Sequence, residues 1–360
     1  MKIKIMFIIH NAFGVGGVQK ILNAKANGFA QRNFEVVVYS ANSKGDLHFD
    51  YDERIVLICE KLKNNGLDYF LQYKKSVQNQ LKEHQPTHVF VLDNGLKGLL
   101  IPFFTTKETQ VFYERHGEIL VEEQHKNQTF FQKIKNHFYK KIYRVLAKNF
   151  NALIVLTDEM ALEWQHPKIM VLPNPVVVQI NKNPDLQAKV CVFCGRFSPE
   201  KGFENLFLIW KKALLQQPDW QLFIFTNQVE EVKKMAQLIL NLNENSVQVF
   251  PFQKDLNEVY PIGSILLSTS LSEGFPVTIV EALTFGLPVV AFDCDFGPRK
   301  LIINNQNGFL IPVGQREVFI EKLNQLQNDF QLRCQFSESA INSNTGLSID
   351  EYLDKILNLF

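Results

Sequence analysis

A short apolar run that ends in a glycine loop and continues into a helical pattern occurs twice in this chain. Residues Ile3 to Ile9 are rich in β-branched side chains, stop at Asn11 and Gly14-Val-Gly-Gly17, and give way to Val18, Ile21, Leu22 and Phe29 at helical spacing. Residues Lys189 to Cys194 repeat the context, followed by Gly195-Arg196 and a predicted helix over 203–216. Further strands are predicted at 34–39, 87–92, 110–113 and 152–156 in the first half, and at 221–225, 247–250, 264–268 and 288–292 in the second. Helices are predicted over 66–83 and 126–149. Such alternation builds right-handed βαβ units and parallel sheets, with ligand loops at the carboxyl ends of the strands.

The expectation is therefore an α/β chain of two Rossmann-like, doubly wound domains facing a cleft. A length of 360 residues fits two such domains better than one core. The boundary is placed in Val171-Leu-Pro-Asn-Pro-Val176 and the polar stretch after it, where three prolines fall within 14 residues. This gives domains 1–175 and 176–345. The apolar spacing of Ile349, Leu353, Ile356, Leu357 and Phe360 predicts a helix within 346–360 able to pack back on the first domain.

Charge excludes one class of partner. With 38 Lys+Arg against 37 Asp+Glu there is no global field for nucleic acid, so a charged ligand has to be met locally. The five cysteines are odd in number and widely spread, which suits free thiols in a reducing cytoplasm. No apolar run is long enough to span a bilayer, so a soluble or peripheral protein is expected.

Three constellations can carry chemistry. The Gly14–Gly17 loop stands between a strand and a helix, where exposed N–H groups and the helix dipole favour an anion. It is not the GxGxxG dinucleotide fingerprint, and the acidic residue that fingerprint needs is out of place, so a dehydrogenase ranks last. In Gly195-Arg-Phe-Ser-Pro-Glu-Lys-Gly202, Arg196 and Lys201 flank Pro199. A planar guanidinium and a mobile ammonium suit a diphosphate whose charge grows as it leaves. The third constellation is Glu273-Gly274-Phe275-Pro276-Val277, followed by Glu281 inside a predicted helix over 277–285. The two carboxylates are too far apart for one helical turn and are placed to grip different hydroxyls of an extended ligand, with the helix start facing phosphates.

Asp293-Cys-Asp295 has the D-x-D look of a metal signature, yet it follows a strand of the second half and reads as a loop. Cys191-x-x-Cys194 lacks a second pair and lies on a strand, so it is no zinc site. Neither a metal nor a resident cofactor is expected.

Taken together, Gly16-Gly17-Val-Gln-Lys20, PNPV at 173–176, GRxxxxKG at 195–202, E-x7-E at 273–281 and GLPVVAFDCDFGP at 286–298 resemble glycosyltransferase family 4, in that family's order. The resemblance implies a GT-B fold and a retaining transferase. It places the nucleotide sugar mainly in the second domain and the acceptor in the first, with closure of the cleft between them. It assigns Arg196 and Lys201 to the diphosphate, Glu281 to the ribose and Glu273 to the sugar. Gly195, Gly274, Phe275, Pro276 and Val277 would line the donor site, and Gly16 and Gly17 would approach phosphate or acceptor by their backbone. His116, in Tyr-Glu-Arg-His-Gly, matches a family histidine near the transferred sugar. Arg299-Lys300 departs from the pattern, where relatives commonly carry an acidic residue. The implied reaction moves a hexose or N-acetylhexosamine from a nucleotide sugar, UDP foremost, to a hydroxyl of a glycan or lipid-linked acceptor. Surface polysaccharide or lipopolysaccharide assembly is its commonest setting. A sugar-nucleotide epimerase and a non-catalytic nucleotide-sugar-binding subunit are the alternatives.

Between Lys126 and Lys148 lie seven basic residues and no acidic one: Lys126, Lys133, Lys135, Lys140, Lys141, Arg144 and Lys148. Among them Phe130, Phe131, Ile134, Phe138, Ile142, Tyr143 and Leu146 recur at helical spacing. This reads either as a basic amphipathic helix for an anionic membrane surface or as a core-packed helix with a solvated basic back.

Overall fold

The computed structural model describes residues 3–43, 47–62, 66–117, 130–240, 246–295, 297–343 and 346–360. The first series of elements is β1 (Lys4–Asn11), α1 (Gly17–Gln31), β2 (Glu35–Asn42), β3 (Val56–Cys59), α2 (Gly66–His84), β4 (His88–Val91), α3 (Leu96–Leu99), β5 (Gln110–Arg115), α4 (Phe130–Ala147), β6 (Ala152–Val155), α5 (Asp158–Trp164) and β7 (Ile169–Val171). The second is β8 (Val190–Cys194), α6 (Phe203–Gln216), β9 (Gln221–Thr226), α7 (Val229–Leu240), β10 (Val247–Pro251), β11 (Ile265–Ser268), α8 (Val277–Phe285), β12 (Val289–Asp293), α9 (Pro298–Leu301), β13 (Gly308–Pro312), α10 (Arg316–Asn328) and α11 (Phe330–Asn342). Then comes α12 (Ile349–Leu357).

The chain divides into two compact units, Met1–Pro175 with Leu347–Phe360, and Val176–Gly346. The first holds a seven-stranded sheet in the order β3-β2-β1-β4-β5-β6-β7, the second a six-stranded sheet in the order β10-β9-β8-β11-β12-β13. Neighbouring strands pair in parallel throughout, for example Phe7 with Val38 and Phe90, and Val290 with Leu267 and Phe309. In each sheet the order reverses once, between β1 and β4 and between β8 and β11. At such a reversal the connections leave in opposite directions and open a crevice beyond the strand ends.

β3, β7 and β13 were not anticipated from the sequence. All three are outermost strands. β3 and β7 are short and half-exposed, and an edge strand needs no long apolar run because only one of its sides is paired and its face is partly solvated.

Phenylalanine fills the first core. Phe7, Phe90 and Phe112 are fully buried and stack in a row across β1, β4 and β5, with Phe360 against the last two. α12 seals this core with Tyr352, Leu353 and Ile356, all fully buried. Its start is fixed by a capping box in which Ser348 Oγ accepts from Glu351 N–H and the Glu351 carboxylate accepts from Ser348 N–H. Gly28 lets the helices close up, since a Cβ there would lie 2.5 Å from Leu353 Cδ1. Outside, Arg32 donates to Asp354 and Asp350 at 2.6 and 2.9 Å. Truncating Leu353 to Ala would cost about 2–5 kcal/mol at such a site.

Candidate functional site

In the second unit the loop leaving β8 and the loop leaving β11 meet at the sheet reversal. Gly202 sits at φ 66°, and a Cβ on it would lie 2.1 Å from the Thr269 carbonyl oxygen, so only glycine permits this approach. Thr269 Oγ1 donates to the Gly202 carbonyl at 3.1 Å, and Leu271 N–H donates to the Glu200 carbonyl at 2.7 Å. This stitching brings Lys201 to Glu273: Nζ donates to Oε1 at 2.6 Å, and Ser270 Oγ donates to the same oxygen at 2.6 Å. Both partners are mostly buried. Arg196, on the same loop after Gly195, is exposed to solvent.

α8 begins directly after Gly274-Phe275-Pro276, with Val277 as its first residue. A helix start leaves N–H groups without intrahelical partners, which favours an anion there. The loop after β12 packs tightly against it, for a Cβ on Gly297 would lie 2.4 Å from Pro276 Cδ. α8 itself is embedded, with Ile279, Val280, Ala282, Leu283 and Phe285 buried. Its one carboxylate, Glu281, is also buried and accepts from the Tyr260 hydroxyl at 2.6 Å. Arg299 donates to Asp293 Oδ1 at 2.9 Å, so the first residue of Asp293-Cys-Asp295 is held as an ion pair within the loop. Cys191 is buried and Cys194 half-buried, both as free thiols.

The first unit carries the other expected residues. Gly14 takes φ 97°, and Gly16 is the residue before α1, whose first position is Gly17. No acidic side chain occupies the first turn of α1, leaving the positive end of its dipole uncompensated locally. His116 follows β5 and is largely buried, with Nε2 3.0 Å from Glu114 Oε1, though not aligned as a hydrogen bond.

Glu114 is the centre of a buried group that the sequence reading missed. Lys25 of α1 donates to its Oε2, and the Tyr352 hydroxyl donates to its Oε1 at 3.4 Å. Lys25 is 1 % exposed and Glu114 0 %, so each charge depends on the other for its partner. The ammonium also lies over the rings of Phe7 and Phe90, 5.3 and 5.8 Å from their centroids. Burial alone would raise the Glu114 carboxyl, but Lys25 and His116 bring it down to about 2. Two cues pointed this way: Glu114 shares a strand face with the position two residues on, and Lys25 interrupts the apolar stripe of α1.

The structure thus joins Lys201 with Glu273 and sets Arg196 on the same loop. It gives Glu281 to a separate partner, Tyr260. Gly16, Gly17 and His116 belong to the first unit. Tyr260, Ser270 and Thr269 were not foreseen.

The family model described as Glycosyltransferase Family 4 matches residues 15–179, and that for Glycosyl transferases group 1 matches residues 179–343. An uncharacterized glycosyltransferase of Haemophilus influenzae is 27% identical, with 98% of each chain covered. The amylovoran biosynthesis glycosyltransferase AmsD of Erwinia amylovora is 24% identical over 94% of this chain and 93% of its own. Among solved structures, Anabaena HepE in complex with UDP and glucose superposes with a TM-score of 0.77 at 20% identity, covering 99% of this chain and 98% of that one. Two Rossmann-like units in one chain, each with its loops at a sheet reversal, make the GT-B fold, and the family models and the named relatives make the chain a glycosyltransferase. The chain belongs to glycosyltransferase family 4.

Proposed function

We propose that the chain is a retaining transferase that moves a hexose or N-acetylhexosamine from a UDP-sugar to a hydroxyl of a glycan or lipid-linked acceptor, in the assembly of surface polysaccharide or lipopolysaccharide. The observation that carries this reading is the Lys201–Glu273 pair beside Arg196 and the start of α8. An incoming diphosphate competes with Glu273 for the Lys201 ammonium. Lys201, Arg196 and the helix N–H groups then offset the charge that grows on the leaving diphosphate. The carboxylate so released accepts from hydroxyls of the transferred sugar, and Glu281, steadied by Tyr260, accepts from the ribose. This charge set does the work without a metal. Retention follows from front-side attack by the acceptor hydroxyl, and no covalent nucleophile is assigned. The names of relatives support the setting: AmsD serves amylovoran biosynthesis and HepE is complexed with UDP and glucose.

The test is calorimetry and nucleotide release with a panel of nucleotide sugars, for wild type and Glu273→Ala. Selective binding of one UDP-sugar, with UDP release lost in the variant, is expected. Conversion of the sugar without UDP release would make the chain an epimerase, and binding of none would make it a non-catalytic subunit.

An anionic membrane surface is proposed as a further partner. One face of α4 packs inward through Asn136 and Ala147, both buried, but Phe131, Ile134, Phe138 and Val145, spaced at 0, 3, 7 and 14 on one stripe, are exposed, Phe131 by 81%. Lys135 and Lys141 flank that stripe. Lys140 and Arg144 instead lean on Glu163, at 3.8 Å and by a hydrogen bond to its carbonyl. Lys126 and the stretch up to residue 129 lie outside the described residues. No helix among the described residues is long and apolar enough to cross a membrane, so the reading is of a peripheral helix on an inner membrane face.

A further inference from the structure

Where the sheet of the first unit reverses, between β1 and β4, a second polar group collects that none of the assignments above uses. His10 stands near the carboxyl end of β1, Asp93 follows β4, Lys97 lies in α3, and Tyr69 and Tyr73 come from α2. Lys97 Nζ is 2.7 Å from His10 Nδ1, 3.0 Å from Tyr69 OH and 3.2 Å from Asp93 Oδ1. Tyr69 OH is in turn 3.2 Å from His10 Nδ1. The ammonium lies over the rings of Tyr69 and Tyr73, 5.2 and 5.3 Å from their centroids.

The group is built rather than incidental. Gly95 takes φ 83°, and a Cβ on Gly98 would lie 2.1 Å from the Asp93 carbonyl oxygen, so the turn that aims Lys97 at Asp93 depends on both glycines. Arg115 donates to Asn94 Oδ1, tying this turn to the loop that carries His116. Asp93 is 1 % exposed, and its Oδ2 has no hydrogen-bond partner among the described residues. Burial, partly offset by Lys97, pushes its carboxyl up to about 6. Lys97 is thus held from behind by a buried carboxylate, while His10 on the outer side is exposed. An ammonium, an imidazole and a phenol converging at a strand-end crevice offer hydrogen bonds and charge to one kind of group, an oxyanion.

We propose that His10, Tyr69 and Lys97 form an acceptor subsite for an oxyanion, a phosphate or carboxylate group carried by the acceptor. The proposal deepens the transferase reading and rests on it. Lys97 turns its charge from Asp93 to the ligand, and Asp93, buried behind it, sets how much of that charge is free.

The test is calorimetry on the full chain saturated with UDP, so that the donor-side cations are occupied, with glycerol 3-phosphate, glucuronate and glucose as probes. At least one anionic probe is expected to bind about tenfold more tightly than glucose, with Lys97→Met weakening it by about tenfold. His10→Gln and Tyr69→Phe should weaken it severalfold, and UDP affinity should stay unchanged in all three. Preference for glycerol 3-phosphate identifies a phosphate-bearing acceptor, and preference for glucuronate an acidic sugar. Glucose binding as tightly as either anion, no anion binding, or anion binding indifferent to the variants would overturn the proposal. Should Lys97→Met fail to fold, the other two variants decide. If wild type binds no UDP, the donor assignment in the second unit falls, and the same titrations without UDP still judge this subsite.

Discussion

The hydroxyl of Tyr352 in α12 donates to Glu114 Oε1 at 3.4 Å, across 238 positions of sequence, and Glu114 in turn stands 3.0 Å from His116. A helix remote in sequence thereby completes the surroundings of a residue expected near the transferred sugar. Tyr352→Phe removes that one donor and keeps the ring. It should lower the stability of the first unit by about 1 kcal/mol in urea unfolding, and a change in KM or kcat beyond that would show that the contact also orients His116.

Lys25→Met leaves Glu114 buried without its ammonium partner, which should cost about 3–5 kcal/mol. The double variant Lys25→Met/Glu114→Leu removes both charges and should recover most of the loss. Equal instability of the single and double variants in thermal melts would mean that the pair is not the source.

Acid should find the same pair. The Glu114 carboxyl is held at about 2 against an ordinary 4.5, so its contribution to stability is present above pH 4.5 and is lost as pH falls toward 2. Melting temperature should drop across that window, and less so in the double variant, which lacks this carboxyl.

Lys201→Met should reduce turnover by about 10²–10³, the usual effect of removing a preorganised charge from a developing anion. Glu281→Ala should act chiefly on donor KM, because the ribose does not change during transfer. A Lys201→Met protein with normal turnover would remove the diphosphate assignment.

Flotation with liposomes reads the α4 proposal. Wild type should float with anionic vesicles and not with zwitterionic ones, and Phe131→Ser/Phe138→Ser should abolish flotation without changing the melting temperature, since both side chains are exposed. Absence of binding to anionic vesicles would end the idea.

Much of this architecture was readable because it rests on local pattern. The strand starting at Lys4, the glycine loop and the helix from Gly17 follow from apolar period and backbone permissiveness, and the apolar neighbours of Glu281, Val280, Ala282 and Leu283, already mark it as facing inward. What stayed hidden depends on contacts far apart in sequence. Nothing near Glu273 announces that Lys201, 72 positions earlier, closes onto it, and the Lys25–Glu114–Tyr352 group unites three distant elements. The edge strands β3 and β7 escaped for the opposite reason: they are short and half-exposed, and carry little pattern of their own. Arg299, a departure from the family's motif, has a local partner in Asp293 that only the loop geometry displays.

The return of α12 to the first unit has a consequence for how the protein is made. The second unit is an insertion in the first, so a nascent chain can finish its second core while the first still waits for residues 347–360. Until those residues are synthesised, the apolar surface on α1 and β1 that Leu353 and Ile356 will cover stands open, and the buried Lys25–Glu114 pair lacks its lid. The earlier-made unit therefore cannot close before the whole of the later-made one has been synthesised, a departure from the usual order in which N-terminal domains mature first.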